Sequence, residues 1–166
     1  TAALKTDGTV WTWGSNSYGQ LGTGDNINKA MPAKVMDIEN AIDISVGSYN
    51  TVVVKDDGTV WSFGYNGYGQ LGDGTSSSRN TPVQVIKQNG KPLEKIVKIS
   101  AGTNKTIALD ENGHVWVWGN TYKSTATKLS TVNNAIDISP SYVVTQTGKV
   151  YTLEGEKLEI DNILRV

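Results

Sequence analysis

The 166-residue chain contains no cysteine, one histidine and only two arginines. Without cysteine there is no disulfide framework, no thiolate metal site and no cysteine nucleophile. A single imidazole, that of His114, removes most metal and acid–base constellations. Lys plus Arg (15) and Asp plus Glu (16) nearly cancel, giving a formal net charge of −1 and a pI near 5.8. The basic footprint that binds nucleic acid or an anionic membrane surface is therefore missing. Apolar runs such as Val52–Val54 and Ile107–Leu109 fall far short of the ~18 residues a membrane span needs. Nothing at the N-terminus reads as a signal peptide, and the opening at Thr1 points to a processed product or a piece of something longer.

Glycine, in contrast, is abundant. Its 18 residues are about 11% of the chain against a usual ~7%, with 37% hydrophobic residues, which predicts frequent turns rather than long helices. Self-similarity then decides the fold. Asp7-Gly8-Thr9-Val10-Trp11 recurs identically as Asp57-Gly58-Thr59-Val60-Trp61. Weaker copies stand at Asn112-Gly113-His114-Val115-Trp116 and Thr147-Gly148-Lys149-Val150-Tyr151. This divides residues 1–166, read as one domain, into repeats of approximately 1–50, 51–105, 106–141 and 142–166, the last two degenerate.

Each copy reads as a hairpin. An alternating segment such as Thr51–Lys55 leads through a Gly-containing pair into a strand such as Val60–Gly64. The pairs Asp7-Gly8, Asp57-Gly58 and Asn112-Gly113 suit a type I′ turn, and Thr147-Gly148 suits it less well, which predicts a weaker fourth hairpin. Trp11 and Trp13, Trp61 and Phe63, and Trp116 and Trp118 stand two apart, so each pair shares one strand face. A third strand-like element, Ala41–Ser45, reappears at Ile96–Ser100 and Ala135–Ser139. A fourth begins at Pro32 and Pro82, where proline suits an outer edge strand. Four short strands per period is the layout of β-propeller blades.

The segments Trp13-Gly14-Ser15-Asn16-Ser17-Tyr18-Gly19-Gln20-Leu21-Gly22-Thr23-Gly24 and Phe63-Gly64-Tyr65-Asn66-Gly67-Tyr68-Gly69-Gln70-Leu71-Gly72-Asp73-Gly74 closely resemble the signature of the regulator of chromosome condensation repeat family. The resemblance implies an all-β fold of four-stranded antiparallel propeller blades, about 3.5 to 4 of them here, as a partial propeller or half-ring. Three departures stand out. The third repeat replaces the Gly-Gln-Leu-Gly loop with Asn120–Ser124, the fourth is shorter still, and Asn50 and Lys105 stand where the family often has histidine. The chain reads as a fragment of a larger propeller, with a homodimer completing the ring or an open array of blades as alternatives.

Candidate sites divide by chemistry. The aromatic stripe at Trp11, Trp13, Trp61, Phe63, Trp116 and Trp118 reads as packing between blades rather than a ligand platform. Gly19, Gln20, Gly69 and Gln70 read as loop structure, because no helix or Lys-Ser/Thr follows to cradle a phosphate. His114 is expected at an exposed turn exit, and the carboxylates Asp25, Asp56, Asp57, Asp110, Glu111, Glu154, Glu156 and Glu159 at solvated turns or along a degenerate strand. No calcium-loop spacing occurs and no nucleophile stands beside a base, so the reading is non-enzymatic, without cofactor or metal.

What remains is the loop surface. Tyr49, Asn50, Asn104, Lys105 and Tyr142 fall at equivalent turns, and Tyr18, Tyr65 and Tyr68 in the longer loops. Tyrosine with Asn and Ser is a recognition composition, so these residues form the candidate binding surface for a protein partner. A carbohydrate-binding surface module is the alternative, and the resemblance also covers guanine nucleotide exchange factors and inhibitor-type propellers. The cysteine-free composition resembles extracellular bacterial members of the family.

Overall fold

A computed structural model of the chain describes residues 1–158, which form fourteen β-strands in four antiparallel sheets. The Ile163–Val166 segment, expected to match the Ala41 strand, and Glu159 lie outside the described residues. The first sheet is β1 (Ala2–Leu4), β2 (Val10–Gly14) and β3 (Lys29–Lys34). The second is β4 (Ala41–Val46), β5 (Asn50–Lys55), β6 (Val60–Gly64) and β7 (Arg79–Gln84). The third is β8 (Ile96–Ala101), β9 (Lys105–Asp110), β10 (Val115–Gly119) and β11 (Thr127–Lys128), and the fourth is β12 (Ala135–Ile138), β13 (Tyr142–Thr145) and β14 (Val150–Thr152). Each sheet is a meander of neighbours in sequence, as in a propeller blade.

The sheets and the sequence repeat are out of phase. The Ala41 strand follows the first hairpin in sequence but pairs with β5 of the second sheet, and β8 and β12 behave alike. The 1–50 and 51–105 periods therefore run across sheet boundaries. One residue at each boundary makes the connection. Asn40, Lys95 and Asn134 adopt φ of 57°, 65° and 56°. Next to them, Ala41, Ile96 and Ala135 donate their N–H to Gly8, Gly58 and Gly113 of the preceding hairpin turn. The carbonyls of Asn40, Lys95 and Asn134 accept from Asp56, Glu111 and Gln146 of their own blade.

The hairpin turns depart from type I′. Only the glycine has positive φ (76° at Gly8 and Gly58, 77° at Gly113, 73° at Gly148), and Gly8 N–H closes a turn on the Lys5 carbonyl at 3.0 Å. This is a three-residue loop ending in a left-handed glycine. The residue before the glycine therefore needs no positive φ, which is why Thr147-Gly148 closes as well as the others, at 2.9 Å from Gly148 N–H to Thr145 O. The fourth hairpin is not distorted by its threonine.

Blades pack through both faces of their central strands. Val10 and Val35 of the first blade meet Val53 and Phe63 of the second. Val52, Val54 and Val60 of the second meet Ala108 and Trp118 of the third, and Ile107, Val115 and Val117 meet Ile138 and Val143 of the fourth. Phe63 and Trp118 are fully buried, whereas Trp11, Trp13, Trp61 and Trp116 are half-buried. The two buried rings occupy equivalent seats. A Cβ on Gly22 would lie 2.8 Å from the Phe63 ring, and one on Gly72 2.8 Å from Trp118 Nε1. The Trp118 indole N–H also donates to the Gln70 carbonyl at 2.9 Å. Trp13 is the third member of this series and has no blade in front of it among the described residues.

Replacing the buried rings opens a cavity at a blade seam. Trp118→Ala and Phe63→Ala are each expected to lower unfolding free energy by about 3–5 kcal/mol, and Trp13→Ala by clearly less, as read from urea denaturation midpoints.

Candidate interaction surface

The long loop that joins β2 to β3, and its copy between β6 and β7, is organised by a buried asparagine that sequence reasoning passed over. Asn66 Nδ2 donates to Asp73 Oδ1 and to the carbonyls of Thr75 and Ser77, each at 3.1 Å. Its Oδ1 accepts the Leu71 N–H at 2.9 Å. Asn16 repeats the pattern with Asp25, Ile27 and Leu21. The identical Asn two residues after the Trp/Phe-Gly pair was the available signal. Gln20 and Gln70 add a second tie, their Oε1 accepting the N–H of Tyr18 and Tyr68 at 2.9 and 3.0 Å. The carbonyls of the same glutamines reach the next blade, accepting from Thr51 and Thr106.

Pinned in this way, the loops hold their tyrosines together. Tyr18 packs edge-on against Tyr49 at 5.3 Å between ring centroids and against Tyr65 at 4.9 Å, and Tyr65 meets Tyr68 at 6.2 Å. The four rings form a continuous ridge that crosses from the first blade to the second. Tyr18, Tyr49 and Tyr68 are exposed (43%, 49% and 52%), Tyr65 is half-buried, and none of their hydroxyls is hydrogen-bonded among the described residues. A ridge of exposed, mutually braced phenols offers rigid contact area at low entropic cost.

The other candidate residues are placed differently. Asn50 is fully buried, and neither its Nδ2 nor its Oδ1 has a hydrogen-bond partner among the described residues. Asn104 and Lys105 are half-buried in the neighbouring turn, which is tied to the Tyr49 turn by Ser48 Oγ donating to Thr103 Oγ1 at 3.2 Å. Tyr142 is exposed and outside the ridge. It pairs with Thr152 as Val52 pairs with Ser62, because the fourth turn closes two residues earlier along the ladder. Tyr142 is therefore not the equivalent of Tyr49.

Charged groups surround the loops without forming a reactive cluster. His114, expected at an exposed turn, is half-buried, with Nδ1 3.0 Å from Asp110 Oδ2. The same Asp110 oxygen accepts the Trp116 indole N–H at 3.0 Å. Burial alone would raise the Asp110 carboxyl, but the donors from Trp116, His114 and Asn112 outweigh it and hold it below the usual range. No group of three His, Asp or Glu able to hold a metal occurs among the described residues. No helix among them is long and apolar enough to cross a membrane.

Asp73 buttresses the second loop. Burial pushes its carboxyl up, but the Thr75 hydroxyl and N–H and the Arg79 guanidinium, 2.9 Å away, bring it below the ordinary value of 3.8. A depressed folded-state value means that this group adds stability above about pH 4 and loses it as the pH falls further. Asp73→Asn is therefore expected to lower the melting temperature at pH 7 and to flatten its fall as the pH drops below about 4. Asn66→Ala, which strands the buried Leu71 N–H, is expected to cost about 1–3 kcal/mol by urea titration.

Comparison with known proteins agrees with this architecture. The family model "Regulator of chromosome condensation (RCC1) repeat" matches residues 7–54 and 57–109. The mitochondrial RCC1 domain-containing protein RUG3 of Arabidopsis thaliana is 34% identical over 122 residues, which are 72% of this chain and 27% of that protein. The human regulator of chromosome condensation is 39% identical over 113 residues, 68% of this chain and 26% of that protein. Both are eukaryotic, so the extracellular bacterial reading finds no support. Human WBSCR16 superposes with a TM-score of 0.78 at 19% identity, over 90% of this chain and 43% of that one. Yeast Prp20p gives 0.68 at 20% identity, over 97% and 47%. The chain thus spans roughly a quarter of these sequence relatives and under half of the solved propellers. Its repeats, its blades and these likenesses agree: the chain belongs to the regulator of chromosome condensation (RCC1) repeat family.

Proposed function

We propose that the chain is a non-enzymatic propeller module that binds a protein partner through its blade-end loops. The observation that carries this reading is the exposed ridge Tyr49–Tyr18–Tyr65–Tyr68. Tyrosine is enriched at protein interfaces because it combines apolar area with a polar tip, and here each ring is braced before any partner arrives. The yeast relative Prp20p is described with binding to Gsp1p and histones, and a second structure has it bound to Kap60, which gives the reading a precedent in the family. A flat sugar platform fits less well, since neighbouring rings stand 62° to 72° apart. A formal net charge of −1 also gives no support to a nucleic-acid partner, whose binding draws on an excess of Lys and Arg.

Quantitative affinity purification tests the proposal. Proteins retained by the wild-type chain are expected to fall at least about tenfold with the Tyr18→Ala/Tyr49→Ala double variant and to stay with Tyr142→Ala. An identical retention profile for all three proteins would exclude the tyrosine face.

A further inference from the structure

We propose that the pocket at Trp116, on the seam between the second and third blades, is a docking site for an acidic peptide segment that inserts one apolar side chain. It is independent of the tyrosine ridge. The ridge loops leave from the far ends of β2 and β6, whereas Trp116 stands beside the hairpin turn that opens β10.

A break in the repeat uncovers the ring. In the first two blades a lysine stands over the equivalent indole: Lys5 Nζ lies 5.8 Å from the centre of Trp11, and Lys55 Nζ 5.9 Å from that of Trp61. The third blade has Asp110 in place of that lysine and His114 in place of Thr9 and Thr59. Asp110 binds the edge of the indole instead, accepting its N–H at 3.0 Å, and no ammonium covers the ring among the described residues. The seams differ accordingly. The pocket before the second blade has Lys55 in its wall and not Trp61, whereas the pocket before the third has Trp116 and not Asp110.

A second departure builds the wall. The connector between β7 and β8, residues 85–95, is five residues longer than that between β3 and β4, residues 35–40. The extra length folds as a tight turn, with Lys87 N–H on the Lys91 carbonyl at 2.8 Å and Gly90 N–H on the Lys87 carbonyl at 2.9 Å. The turn is fastened to the third blade: Ala126 N–H donates to the Ile86 carbonyl at 2.8 Å, and Gln88 Nε2 to Thr127 Oγ1 at 3.0 Å. Insertions in single repeats often mark the binding face.

The space so bounded is about 260 Å³, with Trp116 and Ala126 as its apolar part. Lys87 and Lys128 also line it, Lys128 directly opposite Trp116 on the β10–β11 ladder, and no carboxylate does. Neither of these two ammonium groups has an ion-pair or hydrogen-bond partner among the described residues. Although the whole chain is near neutral, residues 86–128 hold seven lysines and three carboxylates. Of those carboxylates Glu111 is paired with Lys95, and Asp110 is held by His114 and Trp116. The uncharged polar groups are engaged with one another: Gln88 with Thr127 and Lys123, and Asn89 Oδ1 with the Lys91 N–H. Little remains to read the hydroxyls of a sugar, while unpaired ammonium groups beside an indole suit carboxylates flanking an apolar side chain.

The test is titration of fluorescein-labelled Gly-Glu-Glu-Phe-Glu-Glu-Gly, read by fluorescence anisotropy. The same peptide with Ser for Phe, its Lys-for-Glu counterpart, a hexaglucuronate and a single-stranded thymidine decamer serve as comparison probes. The Phe peptide is expected to bind at least about tenfold more tightly than any of them and to weaken as salt is added. Trp116→Ala and the Lys87→Gln/Lys128→Gln pair are each expected to weaken it at least about tenfold, and Lys34→Gln/Lys55→Gln at the preceding seam by less than about twofold. The triple variant Asp110→Lys/Asn112→Asp/His114→Thr rebuilds the turn of the first two blades. It is expected to bring the Phe peptide down to the affinity of the Ser peptide even though it adds positive charge. Because the fold already uses that turn twice, this variant carries the test if Trp116→Ala unfolds. Failure of the Phe peptide to bind, equal or tighter binding of any comparison probe, or an affinity kept or raised in the triple variant would each overturn the proposal. The ridge reading stands or falls separately, on Tyr18→Ala/Tyr49→Ala.

Discussion

An aromatic ring seated on a glycine of the preceding blade is the contact on which the rest of the molecule depends. Phe63 sits over Gly22 and Trp118 over Gly72, each so closely that no side chain fits between. Both rings belong to the middle of a blade, and both glycines to the loop at the end of the blade before. The apolar clusters grow outward from these seats, with valines from one face and the ring from the other. Side-chain burial therefore fixes where the loops lie, not only how the sheets stack. This is the packing logic of repeat proteins, in which each unit buries its apolar face against its neighbour.

Loop position in turn determines the exposed chemistry. The seat fixes one end of the loop, the buried Asn16 or Asn66 its middle, and Gln20 or Gln70 the start of the next blade. The tyrosines between these anchors have little freedom left and stack on one another. Tyr49 joins from a different element, the β4–β5 turn, because that turn meets the first blade's loop at the seam. The ridge is thus a property of two blades together. The third blade, whose loop is cut to Asn120–Ser124, does not extend it.

Much of this was legible in the sequence. Repeated Asp-Gly-Thr-Val-Trp and the long Gly-Gln-Leu-Gly segment located every hairpin and the loops, and alternation placed Phe63 on one strand face with Trp61 and Trp118 on one with Trp116. Three features escaped, each for a physical reason. The turn type was misread because Asp-Gly suits two hairpin geometries and only backbone hydrogen bonding separates them. The fate of Asn50 was hidden because a polar residue in a turn reads as exposed, whereas the Gly47 backbone packs against its amide and leaves it fully buried. Tyr142 looked equivalent to Tyr49 because a two-residue shortening of both strands leaves the local motif intact while moving it down the ladder. The meeting of Tyr18, Tyr49 and Tyr65 was invisible for a simpler reason: it depends on how two sheets dock, which no single period encodes.

The phase offset between sequence repeat and sheet bears on how such a chain can grow. A unit copied in register with the repeat does not add a finished sheet beside its neighbours. It brings the central and outer strands of one blade together with the first strand of the next, so its two ends must be completed by the blades on either side. Each tandem duplication of the gene segment therefore inserts a seam as well as a blade, with ring and glycine already matched because both are copied from a working pair. Lengthening by whole repeats is structurally conservative: a cut at the repeat boundary or at the sheet boundary falls between a glycine such as Gly22 and its ring, Phe63, and the inserted copy supplies a ring for the glycine before it and a glycine for the ring after it.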